Sequence, residues 1–177
     1  LAIPIIIIVR LLGPFITIRF GKLNGHRIGH FAGNTEIYLC ERDAGIHGKN
    51  TYDLFYISTP GDTTICNYQL EKMWDRTLQI SRYVKYLNIT NQWIPGYEKH
   101  QVPKNTDRDL NNLLMKTPPH LSFTEEEERV GLNGLKEIGL PDGMPFFCFI
   151  GRDPAYLKAC YPKLNMDYHN YRDINIR

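Results

Sequence analysis

The 177-residue sequence has no CxxC pair, and its four cysteines, Cys40, Cys66, Cys148 and Cys160, stand at no zinc-ligand spacing with histidine. That excludes zinc ribbons and fingers. Four cysteines in a chain this long are also too sparse to build a disulfide scaffold, so they read as reduced thiols of a cytosolic compartment. An excess of either charge is missing too: 21 Lys and Arg against 19 Asp and Glu leave a formal charge of +2. No broad field is there to attract a polyanion, and nucleic acid is not an expected partner. No apolar run reaches the ~20 residues of a membrane-crossing helix, and there is no internal repeat or low-complexity tract. What is left, 42% hydrophobic and 23% charged residues, is the composition of a folded chain large enough for one domain or slightly more.

The longest apolar stretch, Leu1 to Leu12, is about a dozen residues, with the cations Arg10, Arg19 and Lys22 towards its downstream side. Such a segment can rest on anionic lipid. The β-branched run Ile5 to Val9 equally suits a buried parallel strand. The start at Leu1 rather than Met, and the end at Arg177 without a helix-stop signal, lead us to expect a piece of a longer protein.

Phe15–Phe20 has strand composition, and the turn Gly21 to Gly25 leads into a helix-like stretch from Arg27 to about Cys40. Tyr52–Ser58 is a second apolar strand, followed by near-helical spacing of apolar residues from Tyr68 to Tyr86. Asn91 to Asp109 is polar, contains Pro95-Gly96 and Pro103, and reads as a loop. Ser122 to Ile138 is a helix with a capping box, either Ser122 with Glu125 or Thr124 with Glu127, and with Gly139 at its end. Phe146 to Ile150 reads as a short buried strand, after which Asp153 and Pro154 can start another helix. Alternating strands and helices predict an α/β fold, a Rossmann-like parallel sheet with flanking helices.

In such sheets ligands bind beyond the carboxyl ends of the strands. Two segments fall there. Gly25-His26-Arg27-Ile28-Gly29-His30 combines glycines that allow close approach with His26, Arg27 and His30, which can meet a phosphate or a sugar hydroxyl; His30 can also act as a general base. The plain alternative is a basic turn. In Cys148 to Leu157, Arg152 follows an apolar strand and can grip a diphosphate bidentately, or else only pair with Asp153 at a helix start. Tyr168 to Asp173 concentrates tyrosine, His169 and Arg172, as a surface loop also would. Asp107-Arg108-Asp109 matches a metal-binding DxD pattern but follows polar residues instead of a buried strand, and Asn88-Ile89-Thr90 is a glycosylation sequon that the reduced cysteines disfavour. No metal and no cofactor are expected.

These motifs, Pro14 to Gly21, Arg27 to Ala32 with Asn34, Glu36, Tyr38 and Leu39, Arg152 to Leu157, and Tyr168 to Asp173, resemble in order those of a family of bacterial glycosyltransferases distantly similar to fucosyltransferase-like enzymes. The resemblance implies a GT-B-like enzyme of two Rossmann-type domains. Residues 1–14 would be an apolar, membrane-associated segment, 15–120 the acceptor-side domain, and 121–177 a linker helix with the truncated start of the donor-side domain. It implies a nucleotide-sugar donor held by Arg152, Asp153, Tyr156, His169 and Arg172. A polysaccharide or lipid-linked acceptor would be held near His26, Arg27 and Gly29, with His30 catalytic, at the inner face of the cytoplasmic membrane. One position departs: Ile150 stands where the family pattern has a histidine. Transfer of another activated group such as pyruvyl, or a scaffold without activity in a polysaccharide-assembly complex, are the rival expectations.

Overall fold

A computed structural model of the chain describes residues 2–59, 61, 64–103, 108–149, 155, 159, 162, 163, 165 and 167. It divides into two compact units, Leu1–Phe123 and Thr124–Arg177. The first is a mixed α/β unit whose three parallel strands, β1 (Thr17–Asn24), β2 (Thr51–Ser58) and β3 (Gln79–Ile80), lie in the order β1-β2-β3. Four helices flank the sheet: α1 (Ala2–Leu11), α2 (Thr35–Asp43), α3 (Tyr68–Thr77) and α4 (Val84–Asn91). The expected open parallel sheet with flanking helices is therefore present.

Strand periodicity decides which helix covers which face, because successive side chains point to opposite sides. Leu23 and Phe55 face a core with Phe31, Tyr38 and Leu39 from the α2 side and Trp74 from α3. Phe20 and Tyr56, one residue out of phase, face Ile6 and Val9 of α1 and Val84 of α4, with Ile18 and Leu54 packed alongside. Both faces of the sheet are covered, as a parallel sheet requires. Gly21 lies opposite Phe55 in the register, and a methyl group there would collide with the Phe55 ring. After the 3-10 turn Tyr97–His100, Gln101 bridges to Phe20 in parallel and the Val102 N–H donates to the Phe20 carbonyl at 3.1 Å, closing the outer edge of β1.

Several expectations are corrected. The apolar start is a helix and not a strand; Ile6 and Val9 are buried while Ile3, Ile7, Ile8 and Leu11 are exposed. The first strand runs from Thr17 to Asn24, starting two residues later than composition suggested and ending four later. The single helix expected over Tyr68 to Tyr86 is three elements, α3, β3 and α4, because Gln79 and Ile80 pair with Leu54 and Phe55 of β2. Asn67 caps α3, its side chain accepting from the Leu70 N–H at 2.8 Å.

In the second unit, helix α5 (Glu125–Glu137) has the capping box of Thr124 and Glu127 and four acids in its first turn. At its other end Gly139, at φ 90°, donates to the Lys136 carbonyl and Leu140 to the Leu135 carbonyl, the paired bonds of a Schellman motif. The strand expected at Phe146 to Ile150 is not formed over 146–149: these residues pair with no strand, and Phe147 is 90% exposed. Apolar composition alone cannot make a strand without a neighbour for its backbone groups. Ile150 lies outside the described residues. Among the described residues no helix is long and apolar enough to cross a membrane.

Candidate functional site

The carboxyl end of β1, Phe55 of β2 and the start of α2 border a cleft of about 380 Å³. Lys22, Leu23 and Asn24 come from β1, His30, Asn34, Thr35 and Tyr38 from the chain entering and forming α2, and Asn88 from α4. Phe20 and Phe55 add apolar surface, and Gln101 to Pro103 form a further wall. This is where an open parallel sheet binds its ligands.

The chain reaches α2 through a turn of π-helix, His30–Asn34, a rare geometry common at functional sites. Its ladder is out of α register, and the Phe31 carbonyl within it accepts the indole N–H of Trp74 at 2.9 Å. Because Trp74 is wholly buried, that bond anchors the turn to the core. Within the turn the Asn34 amide nitrogen lies 3.0 Å from His30 Nδ1. The amide sets the tautomer: with its nitrogen towards Nδ1, as placed, Nε2 carries the proton, and with the amide turned over Nδ1 carries it and Nε2 is the unprotonated nitrogen.

The cleft's polar lining is amide, hydroxyl, imidazole and ammonium, with no carboxylate among the residues named. His26, in the turn after β1, has its pKa lowered, first by burial and then by the positive charges of Arg27, His30 and Lys22. Four basic side chains thus meet at the end of β1. Amide and hydroxyl groups over an apolar floor, beside cations, suit a polyol that carries an anionic group.

Of the residues singled out from the sequence, His30 lines the cleft; His26 and Arg27 stand half-buried in the adjoining turn and are not part of its lining. Gly29 has ordinary right-handed helical angles and open space around it. The glycine that geometry demands is Gly25, where a Cβ would come within 2.5 Å of Ile57 Cγ2. Arg152, Asp153, Tyr156, His169 and Arg172 lie outside the described residues. So does Asp107; Asp109 accepts the Leu113 and Leu114 N–H groups at 2.8 and 2.9 Å, which gives it a structural task. In the sequon, Asn88 is buried, donating to the Tyr56 hydroxyl and accepting from Gln101 at 2.6 Å.

Two polar clusters were not foreseen. Arg19, read from sequence as a cation flanking an apolar segment, is instead buried: Nε and Nη2 hold both carboxylate oxygens of Asp53 at 2.6 and 2.9 Å, and the Tyr38 hydroxyl and His47 carbonyl take the rest. Burial opposes its charge, but Asp53 and Tyr38 outweigh that and its pKa is raised. Tyr38 also donates to Asp53, and burial together with that bond raises its own pKa. The second cluster is on the outer side of α2. His120 Nδ1 is 3.0 Å from Glu36 Oε1, and its Nε2 is 2.9 Å from Asp43 Oδ2.

Glu36, buried Cys40 and His120 offer donor atoms within 4.8 Å of one another, a set that could hold a divalent ion. As arranged, however, both imidazole nitrogens are engaged by carboxylates. An ion would have to displace the Glu36 bond from Nδ1. The i, i+4 spacing of Glu36 and Cys40 on α2 is visible in the sequence, but His120, 84 residues from Glu36, is brought in by the fold alone.

No protein-family model, curated protein or solved structure matches this chain.

Proposed function

We propose that this chain carries the acceptor-side domain of a GT-B-like glycosyltransferase that moves a sugar from a nucleotide-sugar donor to a polysaccharide or lipid-linked acceptor at the inner face of the cytoplasmic membrane. The observation that carries the reading is the cleft at the carboxyl end of the sheet, where His30 stands among Asn24, Asn34, Thr35 and Lys22, with no carboxylate in the lining among the described residues. With the Asn34 amide turned so that its oxygen accepts from Nδ1–H, an acceptor hydroxyl seated there would give its proton to His30 Nε2 as its oxygen attacks the anomeric carbon, and the nucleotide diphosphate would leave with the bonding pair. Lys22, His26 and Arg27 suit a phosphate on the acceptor. The leaving diphosphate needs cations or helix N–H groups aimed at it, the role that the family resemblance gives Arg152, with Asp153, Tyr156, His169 and Arg172 around the donor.

The test is a thermal-shift screen of the full-length enzyme that this reading implies, the chain alone being expected to be inactive, against UDP-, GDP-, CMP- and dTDP-sugars, followed by a transfer assay with the donor that binds. The expected result is a shift with one nucleotide class that is lost in Arg152→Ala, and transfer that is lost in His30→Ala while the donor shift persists. No shift with any donor from a folded protein would overturn the reading in favour of a scaffold. Wild-type turnover in His30→Ala would remove the base.

A further inference from the structure

Helices α1 and α4 lie side by side on the same face of the sheet, and their outward faces carry what a bilayer surface takes up. Their inward residues, Ile6 and Val9 of α1 and Val84 of α4, pack on Phe20 and Tyr56. Arg10 ties the pair together, donating to Asn91 Oδ1 at 2.8 Å and to the Pro95 carbonyl at 2.7 Å. Since both helices turn their buried residues to one sheet face, their exposed residues point the same way, away from it.

On α1 those are Ile3, Ile7 and Leu11, one stripe at a spacing of four, with Ile8 beside them and Leu12 and Phe15 just beyond the helix; Phe15 is 79% exposed. On α4 and its flanks they are Tyr83, Tyr86, Ile89 and Trp93, the last 73% exposed. Exposed apolar residues scattered singly are ordinary, but two adjacent helices presenting them together are not. The composition is also that of an interface with lipid and not of a dry core. Aliphatic side chains occupy one helix, and the other carries two tyrosines and a tryptophan, the residues that seat a ring at headgroup level.

The charges complete the match. No Asp or Glu occurs before Glu36, and none between Asp75 and Glu98, so neither helix nor its flanks carries a carboxylate. The cations there are Arg10, Arg82 and Lys85. In a chain of net charge +2 this local one-sidedness is a feature of the face, and it complements anionic headgroups.

We infer that the outer face of α1 and α4 is a monotopic docking surface for an anionic lipid bilayer, with Ile3, Ile7, Leu11 and Phe15 entering the acyl boundary and Tyr83, Tyr86 and Trp93 seated among the headgroups. This deepens the membrane-surface part of the proposed function, extending it from the apolar start to a second helix 73 residues further on in the chain.

The experiment is flotation of the chain with vesicles of phosphatidylcholine alone and of phosphatidylcholine with phosphatidylglycerol in equal parts. Binding to the anionic vesicles is expected. It should be lost in Ile7→Glu/Leu11→Glu and, separately, in Tyr86→Ala/Trp93→Ala, all exposed positions whose replacement leaves the far-ultraviolet circular dichroism unchanged. Trp93 emission should shift to the blue on binding, Trp74 being already buried. No flotation with anionic vesicles would overturn the proposal. So would wild-type flotation of Tyr86→Ala/Trp93→Ala, which confines the contact to α1, or a dimer in sedimentation that the same substitutions dissolve, which makes the occupant a second copy. The vesicles contain no nucleotide sugar, so failure here leaves donor binding untouched, and failure of the donor screen leaves this result standing.

Discussion

Arg19 and Asp53 face one another directly across β1 and β2, and their side chains are only 5% and 6% exposed. A charge so placed is tolerable only while its partner stays, because desolvation of a lone ion costs more than the pair gains. Asp53→Asn should therefore cost about 3–5 kcal/mol in chemical denaturation, and Asp53→Leu combined with Arg19→Met clearly less; equal losses would show that the bidentate bond itself, and not the orphaned guanidinium, carries the effect. His120 makes a prediction in pH. Burial opposes its charge, but hydrogen bonds to Glu36 and Asp43 prevail and its pKa is raised; that of Asp43 is lowered, chiefly by the same bond. A raised histidine stabilises the fold fully below the unfolded value of about 6.5 and loses that contribution as pH climbs through the folded value. The lowered Asp43 contributes above its ordinary range and loses it as pH falls. The melting temperature should thus decline from about pH 6 through the neutral range, and His120→Gln should flatten that decline; an unchanged slope in the variant would place its origin elsewhere. Neither pair was legible in the sequence, since each joins residues 34 or more positions apart, and Arg19 read as a cation flanking an apolar segment until β2 was laid beside it.

At the scale of elements, what was legible depended on whether local chemistry or tertiary contact makes the element. Helix α5 is the local case. None of its residues is buried, so it stands on its capping box, the acids of its first turn and the Schellman end at Gly139. Thr124→Ala should then cost about 1 kcal/mol of helix stability and lower the helical signal in circular dichroism; no change would mean that the dipole interactions of Glu125 to Glu128 suffice. Strand β3 is the opposite case. Its two residues carry no strand signature that outweighs the helical spacing of Leu70, Met73, Trp74 and Leu78, and only pairing with Leu54 and Phe55 makes them a strand. The apolar start lay between these extremes. A run of isoleucines is strand-like by propensity, yet the sheet face over Phe20 and Tyr56 accommodates a helix, and burial of Ile6 and Val9 overrides the preference. The cleft divides the same way: of the segment 25–30 marked in the sequence His30 lines it, whereas Asn88 and Gln101 reached it through α4 and the return past Phe20.

For the whole molecule, the decisive fact is where burial stops. Among the described residues every buried side chain lies between Ile6 and His100, within Leu1–Phe123, and both core clusters are complete there. Folding free energy comes mainly from burying apolar surface, so this unit holds what makes the chain cooperative, while Thr124–Arg177 adds a helix resting on local bonds. A fragment of residues 1–123 should accordingly unfold in one transition at nearly the melting temperature of the whole chain and, with exposed Trp93 replaced by phenylalanine, show Trp74 emission already that of a buried indole. Its hydrogen bond to Phe31 makes that emission a report on the π-turn as well as on the core, and so on the wall that carries His30. A fragment that melts far lower, or with Trp74 exposed, would show that residues 124–177 support the cleft. A native-like one would separate the two halves of the proposed chemistry: the acceptor cleft and the lipid-facing helices would survive in the fragment, and every contribution of Arg152 and Arg172 to the donor would be missing from it.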